Sequence, residues 1–146
     1  MECCGLLIGT PAGIESVHRA ENVRESPVRY LVRPDDHFRA IRLARARGLE
    51  VIGAYHSHPS GRPRPSATDR DEAQGEDFLY VIAGTCRLRR AWWHRRRRTS
   101  RGAGARRGRA VRDRSHPRSV QVAGHWIVAW RLVAGNFSPV PFVRLP

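Results

Sequence analysis

The sequence predicts an α+β sandwich, a central mixed sheet flanked by helices. Three observations carry that prediction. Apolar runs of strand length recur at 2–9, 50–58, 78–83 and 125–133, bounded by Gly, Pro, Asn and Asp. Two helical stretches, near 34–47 and 66–73, interrupt them. No apolar run reaches 18 residues, so no transmembrane helix is expected, and 146 residues suit one domain with a workable core.

Taken in order, Glu2-Cys3-Cys4-Gly5-Leu6-Leu7-Ile8-Gly9 reads as a strand that starts at once, leaving Glu2 on an end expected to fray. Cys3 and Cys4 face opposite sides of it and read as small buried fillers. Thr10-Pro11-Ala12-Gly13 is a turn, residues 14–20 a weak second strand, and Val28 to Val32 a third after the break at Ser26-Pro27. Pro34 opens a helix with Asp35 and Asp36 in its first turn, where they complement the dipole. It runs to about Arg47, with Gly48 at the C-cap position and Phe38, Ile41 and Ala44 or Arg45 as its inner stripe. Glu50 to His58 is the central strand. Phe78 to Ala83 is another, 119–122 a short one, and His125 to Val133 a long one. Gly135-Asn136 is read as the hairpin turn into Phe137–Leu145, which Pro139 and Pro141 confine to an edge.

Chemistry concentrates at the end of the central strand. His56 and His58 are two apart and project from one face. Pro59, Gly61, Pro63 and Pro65 force a rigid loop. Ser66 then stands as the N-cap of the short helix, with Asp69 three residues on at the acidic position of a capping box. The loop therefore returns a carboxylate toward two imidazoles. Each residue alone has an ordinary structural role: a paired core histidine, a helix cap. Together they are the two-His, one-carboxylate set of a catalytic zinc site with an open fourth position. A cupin reading would want a Glu soon after His58, and none occurs before Glu72.

The stretch resembles the JAMM (MPN-plus) metallopeptidase motif: His-x-His-Pro, a loop, then Ser-x-x-Asp, with ten residues between the second His and the Asp. His56, His58, Ser66 and Asp69 match it, and Glu2 in Glu-Cys-Cys-Gly-Leu-Leu looks like the glutamate that the family carries on an earlier strand. The resemblance spans most of the chain except about 86–118. It implies an MPN fold (cytidine-deaminase-like) and Zn²⁺ held by His56, His58 and Asp69. It further implies Glu2 as general acid–base and Ser66 as oxyanion donor. The expected reaction is hydrolysis of a peptide or isopeptide bond, at the C-terminal tail of a ubiquitin-like or sulfur-carrier protein. The helix that usually precedes the first strand is missing, which points to a start upstream of Met1. Two alternatives stand beside this reading. One is an inactive MPN scaffold. The other is a RadC-type protein linked to DNA repair, which shares the motif and a Pro-Ser-Gly like that after His58.

The net charge of +14 first suggests a nucleic-acid binder. Its distribution argues otherwise. All 27 basic residues are Arg, and 86–118 holds 14 of them with one acid, Asp113, for +13. The rest of the chain, 13 Arg against 12 acids, is nearly neutral at +1. The domain is therefore read as 1–146 with an Arg-rich, disordered insert at 86–118. Nucleic-acid contact is expected only through that insert, with Trp92, Trp93 and His94 to stack on bases. The Ser115-His116-Pro117 echo of the motif has no partner at the right spacing. Three cysteines make no disulfide framework, and no signal segment is visible, so a cytoplasmic setting is expected.

Overall fold

The computed structural model describes residues 1–59, 61–85, 120–122 and 125–142. The expected insert at 86–118, with its tryptophans and its Ser-His-Pro echo, lies outside these residues, as do 143–146.

Among the described residues seven strands form one mixed sheet: β1 (Cys4–Thr10), β2 (Gly13–Ala20), β3 (Glu50–His58), β4 (Leu79–Gly84), β5 (Val120–Val122), β6 (His125–Val133) and β7 (Asn136–Val140). Their order is β2-β1-β3-β4-β6-β5, with β7 also paired to β6. β3 and β4 run parallel and every other pair is antiparallel. Parallel neighbours need a crossover rather than a hairpin. Residues 59–78 supply it, carrying the Pro-rich loop and α2 (Ala67–Asp71) from the end of β3 to the start of β4. Among the described residues no helix is long and apolar enough to cross a membrane.

The other helix, α1 (Pro34–Arg45), packs on one sheet face. Leu6, Ile8 and Ala54 meet Ala40, Ala44 and Leu49 there. The inner stripe is thus Ala40 and Ala44; Phe38, expected inside, is 65% exposed. Two alanines let the helix axis approach the sheet more closely than a phenylalanine would. The helix closes in a Schellman arrangement. Leu49 N–H donates to the Ala44 carbonyl and Gly48 N–H to Arg45, with Gly48 in the left-handed region at φ 68°. Leu49 thereby joins the core. A second cluster, Tyr80, Ile82, Val128 and Trp130, fills the β4–β6 half.

Three expectations are corrected. Val28–Val32 is not a strand; its only pairing is an isolated Asn22–Val32 bridge. The Asn22 side chain takes up the local backbone instead, accepting from Arg24 and Leu31 N–H and donating to the Arg29 carbonyl. Cys3 is exposed and only Cys4 is buried. The β6–β7 turn is Ala134-Gly135, because Asn136 already pairs with Val133.

Candidate metal centre

β3 positions the two histidines. Ala54, His56 and His58 share a face, so the face that packs on α1 at Ala54 presents imidazoles beyond the helix. His56 is 1% exposed and opposes Cys4 of β1. Tyr30 stacks on its ring at 4.5 Å. His58 points its Nδ1 at the Arg62 carbonyl, 3.0 Å away. A carbonyl only accepts, so Nδ1 carries the proton there and the neutral ring keeps a lone pair on Nε2, facing the site.

Asp69 arrives as the capping box requires. Its N–H donates to Ser66 Oγ (3.1 Å), and its Oδ2 accepts from Ser66 N–H (2.6 Å) and from the Ser66 hydroxyl (2.7 Å). The loop before it is held by the β6 core. Trp130 Nε1–H donates to the Pro63 carbonyl at 3.0 Å, and Pro63 is fully buried. A Cβ at Gly84 would come within 2.6 Å of Pro63 N and 2.7 Å of Gly61 O, so the loop lies flush on the end of β4.

The donor atoms converge. His56 Nε2 lies 3.1 Å from His58 Nε2 and 3.1 Å from Asp69 Oδ1, and His58 Nε2 lies 3.5 Å from Asp69 Oδ2. A tetrahedral ion with ligand bonds of about 2.0–2.1 Å separates its ligand atoms by about 3.3–3.4 Å. Two imidazole nitrogens and a carboxylate at these separations fit such an ion, and these three residues could hold a metal. Burial acts to raise the Asp69 carboxyl, but hydrogen bonds from His56 and His58 outweigh it and hold Asp69 far below the usual carboxylate range. Burial opposes charge on His58, yet its bonds to Asp69 and the Arg62 carbonyl prevail and raise it.

Glu2 reaches the same place from the chain end. Its Oε1 is 4.0 Å from His58 Nε2, and the residue is 5% exposed. The frayed end expected from sequence is not what is found. β1 begins only at Cys4, but Glu2 N–H donates to the Ser26 carbonyl, and Asn22 Nδ2 donates to the Glu2 carbonyl. Ser57 closes the ladder one residue on, donating its N–H to the Cys3 carbonyl and accepting Cys3 N–H on its hydroxyl. Burial raises the Glu2 carboxyl above its ordinary value, against the pull of the two histidines.

Three residues that sequence reasoning gave no such part thus support the site, Tyr30, Asn22 and Trp130, alongside Ser57, which strand alternation puts on the face opposite the histidines in a supporting part. Ser57 carried the only signal, lying between the histidines. The others approach from distant positions. Tyr30, mostly buried, has its phenol pushed well up by burial and then by the Asp69 charge, so it stays protonated at neutral pH.

A family model described as prokaryotic homologs of the JAB domain matches residues 1–95. The chain is 34% identical over 84 residues to a desampylase of Haloferax volcanii, covering 56% of this chain and 60% of that one. It is 29% identical over 92 residues to a desampylase of Pyrococcus furiosus (63% and 66%). To a probable TtuB-protein conjugate cleaving protease of Thermus thermophilus it is 38% identical over 82 residues (53% and 55%). The chain thus spans between 55% and 66% of the length of these relatives. A solution structure from Salinibacter ruber matches 99% of this chain and 78% of its own, at 31% identity and a TM-score of 0.56. Another, from Desulfitobacterium hafniense, matches 97% and 77% with a TM-score of 0.63. At 20% identity that second likeness speaks for the fold alone, and the mixed α+β sheet it shares is the fold class expected from the sequence.

Proposed function

Because the chain belongs to the prokaryotic JAB-domain family, we propose that it is a zinc-dependent hydrolase of peptide or isopeptide bonds. Its substrate is the C-terminal tail of a ubiquitin-like or sulfur-carrier protein joined to another protein. The names of its relatives, desampylases and a conjugate-cleaving protease, support that substrate class. The single observation that carries the reading is the convergence of His56 Nε2, His58 Nε2 and an Asp69 carboxylate oxygen, with a buried Glu2 beside them.

His56, His58 and Asp69 would hold Zn²⁺, which when bound supplies a Lewis acid and an activated water at neutral pH. The chain's own residues do the rest. Glu2 takes the proton of the attacking water on its carboxylate and returns it to the leaving amine. Its raised pKa suits both halves of that transfer, and its buried position keeps bulk water from short-circuiting it. Ser66 donates to the oxyanion. Its hydroxyl proton now goes to Asp69, so this donation needs the hydroxyl to turn away from that carboxylate. The Arg62 carbonyl fixes His58 in the tautomer whose Nε2 faces the site. Cys4 takes no part as a nucleophile: burial pushes its thiol up to about 11.

The test is zinc content and cleavage of a ubiquitin-like conjugate, for the wild type and for Asp69→Ala. The expected result is about one zinc per chain with cleavage, and loss of both in the variant. A folded wild type that takes up no zinc overturns the reading. Zinc uptake without cleavage would favour the scaffold alternative.

A further inference from the structure

Next to His58 and Ser66 lies a cavity of about 390 Å³ lined by Arg62, Arg64 and Arg70, with Trp130, Asn136 and Phe137 on its other wall. Among the described residues no acidic one lines it. All three arginines are exposed, and none makes an ion pair among the described residues. Arg70 is steadied by donating to the Pro65 carbonyl at 3.1 Å. The loop bearing Arg62 and Arg64 is pre-organised, because Pro63 is buried and clamped by Trp130. The held backbone sets where the arginine side chains start, and their planar forks suit carboxylates. Asp69, beside Arg70 in the chain, spends its carboxylate on the histidines and Ser66, and Asp71, on the other side of Arg70, is not among the lining residues.

We propose that this pocket binds the side-chain carboxylate of an acidic residue flanking the scissile bond of the substrate protein. The inference rests on the hydrolase reading, since it places the pocket at the shoulder of the reacting centre through His58 and Ser66. Phe137 then receives the methylene stem of a glutamate while the arginines take its charge. A neutral residue at the same position finds only the apolar wall.

The test titrates full-length, metal-free protein with two fluorescent peptides that carry Glu or Gln at one position. Both are acetylated and amidated, so that no terminal carboxylate competes. The Glu peptide should bind about tenfold more tightly at low salt, with the margin shrinking as salt rises. Arg62→Gln/Arg64→Gln should abolish the margin. Arg39→Gln/Arg42→Gln, an equal loss of charge on exposed positions of α1, should keep it. Arg64→Glu should remove the preference for the Glu peptide. Equal binding of the Glu and Gln peptides by wild type, or a margin untouched by Arg62→Gln/Arg64→Gln, overturns the proposal. The hydrolase reading answers to a different readout, cleavage by the zinc-loaded protein. Cleavage of both peptides at equal rates with equal binding would remove the pocket and leave the hydrolase. A clear binding margin with no cleavage would do the reverse.

Discussion

Asp69 reaches the histidines through a capping box three residues wide, whereas Glu2 reaches them through hydrogen bonds to segments as far as 54 positions away. The Asp69 side of the site is local. Prolines set the loop, Ser66 starts the helix, and the geometry of the first turn aims the carboxylate. The Glu2 side has no regular element of its own. Ser26 and Asn22 bond the backbone of Glu2 and Ser57 bonds that of Cys3, and together they replace the ladder that a longer strand would have supplied. A site can therefore join one arm built by short-range rules to another built by contacts across the fold. The two arms should respond differently to substitution.

Glu2→Gln should show the largest effect after loss of a metal ligand. It removes the proton carrier but no ligand, so kcat/KM should fall by about 10²–10⁴ with zinc content unchanged. A variant that keeps near-normal activity would exclude Glu2 from the reaction. Ser66→Ala strikes the local arm twice. It should cost about 0.5–2 kcal/mol of stability as a lost cap, and about 10²–10³ in kcat if the hydroxyl also stabilises the oxyanion. A stability loss with no rate loss would reduce Ser66 to a cap.

Ser57→Ala sharpens the comparison from the other side. It leaves Cys3 N–H without its acceptor, at a cost of about 1 kcal/mol. Loosening the Glu2 arm should lower kcat about tenfold with KM little changed, and Ser57→Thr should restore most of it. A Ser57→Ala variant with unaltered kcat would show that the other three bonds suffice.

The smallest effect is one of pH on stability. Burial holds the Glu2 carboxyl above its unfolded value. Its favourable contribution is therefore present below the unfolded pKa and lost as pH rises through the folded one. In metal-free protein, Glu2→Gln should raise Tm over wild type at pH 7, and the gain should shrink toward pH 4. Melting curves at the two pH values check this, and an equal difference at both would mean that Glu2 is not buried as a carboxylate.

Much of the site was legible before the fold. The spacing of His56, His58, Ser66 and Asp69 is set by strand alternation and a helix cap, both short-range geometries. The β3 strand, the Gly48 helix end and the edge position of β7 follow from the same kind of rule. The misreadings fall where tertiary contact decides. Residues 28–32 carry strand-forming side chains, yet the Asn22 side chain takes up their own backbone at Arg29 and Leu31. Phe38 has the more apolar side chain, yet Ala40 and Ala44 face the sheet because small residues let α1 come close.

By itself the sequence determined which chemistry gathers at the end of β3, since two imidazoles and a carboxylate are fixed there by periods of two and three residues. Only the tertiary structure decided that Glu2 is buried and held against His58, that Tyr30 stacks on His56, and that Trp130 clamps the loop of arginines beside them. Those three depend on strand order, with β1 beside β3 and β6 next to β4. Long-range order of that kind arises from the burial of whole faces and has no signature in any short run of residues.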